Sequence, residues 1–218
     1  MTNKNANKTT NKKNSVQPPK GLSGINSVCV FCGSGTGLNP AFAEGARVLG
    51  QRLAEAGVGL VYGGGSLGLM GAVAKSVLKH KGHVTGIIPS FLSEKEKMLR
   101  DVNELIVTED MHQRKRLMFD RSDAFVALPG GIGTLEELVE QLTWAQLGRH
   151  TKPIVIANIA GYWDSLCDLL AHMRKETFIR EGLHVPYTIV ETAEDILPAI
   201  AAAAPAVPKE RADVIGRM

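Results

Sequence analysis

Apolar residues along this chain gather into short runs near 26–32, 57–62, 83–88, 104–107, 123–128, 153–158 and 187–190. Several runs are continuous rather than alternating, as strands covered on both faces require. Between them, residues 40–56, 67–81, 109–121, 134–147 and 162–175 repeat their apolar positions with the period of a helix. Strand and helix therefore alternate, and the pattern predicts an α/β domain built on a doubly wound, mostly parallel sheet with helices on both faces. In such sheets ligands bind beyond the carboxyl ends of the strands, near the point where strand order reverses. Three glycine-rich segments fall at such ends. Leu135, Leu138, Val139, Leu142 and Leu147 give helix 134–147 an apolar face expected to pack on the sheet.

The two ends break the pattern. Residues 1–24 are rich in Asn, Lys, Thr and Ser, and are expected to form a disordered basic extension. Residues 25–203 read as a single domain, and 204–218 as a flexible tail after a last helix. All five charges of the extension are lysines, so removing them from the formal +3 leaves about −2 for the folded body. No basic patch remains of the kind a nucleic-acid binder carries, and no nucleic-acid partner is expected. No run approaches the roughly 18 apolar residues of a membrane span, so none is expected to enter a bilayer. The N-terminus lacks the apolar stretch of a secretory signal, which points to the cytoplasm. Three cysteines fit a reducing compartment. Cys29 and Cys32 form a C-x-x-C, but inside an apolar strand and without a second pair they read as buried thiols, with no metal expected.

The first glycine loop, Gly33-Ser34-Gly35-Thr36-Gly37, follows the first strand; its amides and hydroxyls could hold a phosphate, or simply make a tight turn. The second, Gly63-Gly64-Gly65-Ser66-Leu67-Gly68, contains G-x-G-x-x-G. A dinucleotide site would want an acidic residue about 20 positions on, and residues 83–88 hold none. A P-loop lysine is also missing, so neither NAD nor ATP is expected, and no cofactor is assigned.

The third loop says most. After strand 123–128 come Pro129-Gly130-Gly131-Ile132-Gly133-Thr134-Leu135-Glu136-Glu137. Glycines here let backbone N–H groups approach an oxyanion, and the helix start adds a favourable dipole. A carboxylate in that first turn would be kept ionised by the same dipole. The plainer alternative makes Thr134 the helix cap and Glu137 its capping-box partner. Upstream lies Met111-His112-Gln113-Arg114-Lys115-Arg116-Leu117-Met118. Met111, Leu117 and Met118 could form a buried stripe with the charges merely solvated, and His112 reads as structural. Arg114 presents a planar fork suited to phosphate or carboxylate and is a poor proton donor.

Taken together, these residues resemble the lonely-guy (LOG) family of cytokinin riboside 5′-monophosphate phosphoribohydrolases. The likeness rests on Gly33-Ser34-Gly35, on Tyr62 to Gly71, on Met111-His112-x-Arg114-Lys115 and on Pro129-Gly130-Gly131-x-Gly133-Thr134-x-x-Glu137. It implies a Rossmann-like homodimer that hydrolyses the N-glycosidic bond of a nucleoside 5′-monophosphate. It also implies an essential pair, Arg114 and Glu137. Further ligand contacts would fall on Lys115, on Gly131, Ile132, Gly133, Thr134, Leu135 and Glu136, on Thr143, and on Glu96. The glycine loops add Gly33, Ser34, Gly35, Gly64, Gly65 and Gly130 as phosphate-side candidates. The family is often labelled lysine decarboxylase, but no lysine context suited to pyridoxal phosphate is present. A non-enzymatic nucleotide or molybdenum-cofactor carrier on the same fold is the alternative. An AMP nucleosidase is a third reading that the loops cannot separate from the first.

Overall fold

A computed structural model describes residues 22, 24–93, 97–179 and 186–204. The expected extension and tail therefore lie almost wholly outside the described residues, as does Glu96. Seven strands form one sheet: β1 (Ser27–Phe31), β2 (Gly59–Tyr62), β3 (Val84–Pro89), β4 (Glu104–Thr108), β5 (Ala124–Ala127), β6 (Ile154–Ala157) and β7 (Thr188–Val190). Their order is β4-β3-β2-β1-β5-β6-β7, and every neighbouring pair is parallel. The order reverses between β1 and β5, so a crevice opens there. This is a Rossmann-like α/β fold.

The helices are α1 (Pro40–Glu55), α2 (Gly68–Lys79), a single turn α3 (Ser90–Ser93), α4 (Met111–Asp120), α5 (Ile132–Gln146), α6 (Asp164–Lys175) and α7 (Ile196–Ala203). Residues of α1, α2 and α7 pack with Val28, Val30, Leu60 and Tyr62 on one face of the sheet. Residues of α4, α5 and α6 pack with Cys29, Phe31, Val61 and Phe125 on the other. Alternation along β1 thus sends Cys29 to one core and Cys32 to the opposite one, so the C-x-x-C never forms a pair. Both are buried and neither is in a disulfide.

Local chemistry sets the helix starts. Asn39 Oδ1 accepts from Ala41 N–H at 3.0 Å, with Pro40 in the first helical position, where its missing N–H costs nothing. Asp110 Oδ1 caps α4 by accepting from Gln113 N–H at 2.8 Å, and Gln113 Oε1 accepts from Glu109 N–H at 2.8 Å. α5 departs from expectation. Gly131 holds the cap position and has no side chain to offer. Thr134 is therefore the third residue of the helix, no capping box forms, and Glu137 is the sixth residue.

The apolar face read for this helix also divides. Leu138 and Leu142 are buried and Leu135 packs against the same core. Val139 is 42% exposed and Leu147 76% exposed. At 3.6 residues per turn, Leu147 lies about 180° round the axis from Leu138.

The loops at the crevice are locked together by backbone. Leu69 N–H donates to Gly33 O at 3.0 Å and Met70 N–H to the same carbonyl at 3.3 Å, so the first glycine loop caps α2. Gly68 lies beneath it with φ +57, and a Cβ there would strike the Ser34 carbonyl. Gly68→Ala should cost about 1–3 kcal/mol from backbone strain alone. A urea unfolding midpoint no lower than wild type would contradict this packing.

Candidate active site

A cleft of about 290 Å³ opens at the crevice between β1 and β5, floored by residues from four loops and helices. Gly33 and Ser34 enter from the end of β1, Gly63 from the end of β2, Met111 and Arg114 from α4, and Gly131 to Thr134, Glu136 and Glu137 from α5.

Arg114 is the surprise of α4. It lies between Met111 and Met118 on the helix's inward face, and its side chain is 8% exposed. Its Nη2 meets Glu137 Oε1 at 3.2 Å, and the Glu137 side chain is 9% exposed. Two opposite charges from two helices are thus buried together, which compensates each for lost hydration. Arg114 Nη1 also contacts Met111 Sδ at 3.7 Å. Its Nε is buried with no hydrogen-bond partner among the described residues. Because Glu137 is the sixth residue of α5, the helix dipole has faded at its position. The expectation of a carboxylate held by the first turn gives way to one held by a guanidinium.

Cys29 lies behind this pair. Burial pushes its thiol well above the ordinary range, the Glu137 charge adds to the rise, and Arg114 only partly opposes it. The thiol is neutral and enclosed, unsuited to act as a nucleophile.

Lys115 points elsewhere. Its Nζ bonds Glu136 Oε1 at 2.5 Å and Glu140 Oε1 at 3.0 Å, tying α4 to α5. Burial pulls its pKa down, but the two carboxylates more than offset this and leave it raised. Lys115 does not line the cleft in this arrangement, although Glu136 does.

The remaining candidates separate cleanly. Gly33, Ser34 and Gly131 line both this cleft and a neighbouring cavity of about 310 Å³, whereas Gly35 and Gly130 line only the neighbour. Ile132, Gly133 and Thr134 form the cleft's rim along the start of α5. Leu135 turns into the core instead. Gly64 and Gly65 stand behind the cleft: Gly64 O accepts from Leu99 N–H at 3.0 Å and Gly65 bridges Met98. Their neighbour Gly63, the first glycine of the G-x-G-x-x-G, lines the cleft in their place, although it was not among the phosphate-side candidates. Thr143 sits on the outer side of α5 with Oγ1 donating to Val139 O at 2.8 Å. Six residues past Glu137, it is turned about 120° away from the cleft. His112 is exposed, in keeping with a role outside the chemistry. Among the described residues no cluster of metal-ligating side chains occurs.

Fold and site define a Rossmann-like protein whose three glycine loops meet a buried Arg–Glu pair at the carboxyl ends of the central strands of a parallel sheet. The family model described as "Possible lysine decarboxylase" matches residues 70–200. The cytokinin riboside 5′-monophosphate phosphoribohydrolase LOG7 of Arabidopsis thaliana is 49% identical over 152 residues, 70% of each chain. LOG3 of the same plant is 44% identical over 178 residues, 82% of this chain and 83% of its own. Among solved structures, the molybdenum cofactor binding protein of Rippkaea orientalis superposes with a TM-score of 0.61 at 26% identity, covering 82% of this chain and 96% of its own. The Moco carrier protein of Chlamydomonas reinhardtii shares the fold, with a TM-score of 0.61 at 21% identity over 82% of this chain and 97% of its own. The chain belongs to the lonely-guy family of cytokinin riboside 5′-monophosphate phosphoribohydrolases.

Gly63 tests the packing of the pair. A Cβ there would overlap Arg114 Nη2 and press on Met70 Sδ. Gly63→Ala should therefore displace the guanidinium and lower turnover at least tenfold, with the fold retained by circular dichroism. Turnover within twofold of wild type would show that the guanidinium need not occupy this position.

Proposed function

We propose that this chain hydrolyses the N-glycosidic bond of a nucleoside 5′-monophosphate, releasing an adenine-type base and ribose 5-phosphate, with cytokinin riboside monophosphates as the preferred substrates. The observation that carries this reading is the buried Arg114–Glu137 pair at the floor of a cleft rimmed by the start of α5.

Breaking the bond builds positive charge at the ribose C1′. The Glu137 carboxylate is the anion placed to stabilise that charge and to take a proton from an attacking water. Arg114 orients the carboxylate through its Nη2 and presents the remaining guanidinium edge to the ligand. The first N–H groups of α5 have no intrahelical acceptor, so they suit the 5′-phosphate. Holding that remote group fixes the reacting bond over Glu137. A second carboxylate in the geometry of a covalent mechanism is not evident, since Glu136 is engaged by Lys115. Water attack in a single displacement follows.

The carrier reading draws on the shared fold of the molybdenum-cofactor proteins. It leaves the buried ion pair without a task, and the identity to the phosphoribohydrolases is far higher. The preference between a cytokinin and plain adenine rests on the names of those relatives.

The chain is further proposed to act as a cytoplasmic homodimer. Ile132, Val139 and Leu147 expose apolar side chains along α5, which supports a second copy covering them. Cys29, Cys32 and Cys167 form no disulfide, which suits a reducing compartment.

Glu137→Gln keeps the shape of the side chain and removes its charge. Turnover should fall by about 10³-fold or more while AMP affinity, read by calorimetry, changes less than about tenfold. Near-normal turnover would refute the mechanism. For assembly, Val139→Glu should convert a dimer to monomer in light scattering. A variant that stays dimeric would place the interface elsewhere.

A further inference from the structure

One hydrogen bond on the far side of the Pro129–Gly131 turn bears directly on the cleft. The Tyr162 hydroxyl donates to the Gly130 carbonyl at 2.5 Å. Its ring stands edge-on to Phe42, with centroids 5.3 Å apart, and both rings line the neighbouring cavity. Gly130 borders that cavity and not the catalytic cleft.

The backbone goes to some length to deliver this hydroxyl. Ala160 and Gly161, just before Tyr162, both lie in the left-handed region at φ 53 and φ 70. Such a conformation at a non-glycine residue persists only where its surroundings over-determine it. Asn158 supplies the restraint from a buried position. Its Oδ1 accepts from Trp163 N–H at 2.7 Å, and its Nδ2 donates to Asp164 Oδ1 at 2.8 Å and to Glu191 at 3.3 Å. Residues on both sides of Tyr162 are therefore fixed.

We infer that Tyr162 is a positioning residue for anion binding, which aims the Gly131 N–H into the catalytic cleft. The Gly130–Gly131 peptide is trans, so its carbonyl and its N–H point in opposite directions across one plane. With the carbonyl held on the side of the second cavity, the N–H faces the other side, where the cleft lies. That N–H has no hydrogen-bond partner among the described residues. The preceding carbonyl is also removed from the cleft's chemistry, because Pro129 O accepts from Gly33 N–H at 3.0 Å. Both acceptors of the turn are thus occupied from outside, leaving a donor for the oxyanion. Glycine on each side makes a flip of this peptide cheap. Without the hydroxyl, the flipped form would offer the anion a carbonyl instead of an N–H. No local pattern in the chain points to the contact, since 32 residues separate donor from acceptor.

The anion is the substrate's 5′-phosphate, so the inference rests on the function proposed above. Tyr162→Phe tests it, since the ring and its contact with Phe42 survive and only the hydroxyl goes. Two readouts are needed: KM and kcat for isopentenyladenosine 5′-monophosphate, and the Kd for ribose 5-phosphate by calorimetry. The variant should show KM and Kd raised together by roughly tenfold, the worth of one hydrogen bond to a charged group, with kcat within about threefold. A lowered melting temperature with KM and Kd both within twofold would mean that the hydroxyl merely braces the fold, and would overturn the inference. Wild-type protein that fails to bind ribose 5-phosphate would overturn the phosphate reading itself, and this inference with it.

Discussion

A buried arginine must be answered by a carboxylate, and much of this site follows from that requirement. Removing a guanidinium from water costs several kcal/mol, which only a well-placed anion offsets. Arg114 meets that demand with Glu137 at 3.2 Å, across the gap between α4 and α5. The approach of the two helices is thereby set, and Lys115 reinforces it by bridging Glu136 and Glu140 on the outer side. The end of β2 then comes so close that a Cβ at Gly63 would displace the Arg114 guanidinium. A pair of this kind contributes little net stability, because an apolar pair of similar volume would serve the fold as well. Its place at the floor of a cleft is what the proposed chemistry uses.

The parallel sheet supplies the place. Where strand order reverses between β1 and β5, their loops diverge to opposite faces and leave a crevice. The loops do not hang freely there. The first caps α2 through Leu69 and Met70, holds the third through Gly33 and Pro129, and is in turn supported by Gly68. A mesh of backbone hydrogen bonds therefore carries the cleft wall, which is how glycine loops can be rigid enough to present donors to an anion.

How much of this was legible in the amino-acid order depends on the range of the interaction. All seven strands appear as apolar runs: burial leaves a local compositional mark on β1, β2, β3, β5 and β6, and the edge strands β4 and β7 keep apolar centres although only partly buried. Helix interiors are legible for the same reason, from Leu49 and Leu53 in α1 to Leu138 and Leu142 in α5. The start of α5 was read two residues late. Thr134 carries the hydroxyl that a cap usually needs, whereas Gly131 caps by backbone geometry alone. Glu137 was singled out for the wrong electrostatic reason, since its partner is a residue 23 positions upstream and not its own helix dipole. Arg114 was visible as a candidate, but its burial was not, because a charged residue in a methionine stripe looks solvated. Tyr162 escaped notice, and Gly63 was read as part of the second loop without its contact with Arg114, since each acts through an approach that only the folded chain creates. Thr143 shows the reverse: a family expectation that the monomer's geometry does not bring to the cleft.

Phosphate anchoring and the Arg114–Glu137 pair are proposed to act together on one glycosidic bond. The most direct measurement compares base release from isopentenyladenosine 5′-monophosphate with release from the unphosphorylated riboside, at equal concentration and by chromatography of the free base. Base should be released from the monophosphate, with release from the riboside lower by roughly a hundredfold or more. Equal rates would contradict the anchoring role of the glycine loops. No release from either would leave the ion pair without its chemistry and return the protein to the class of carriers that share its fold.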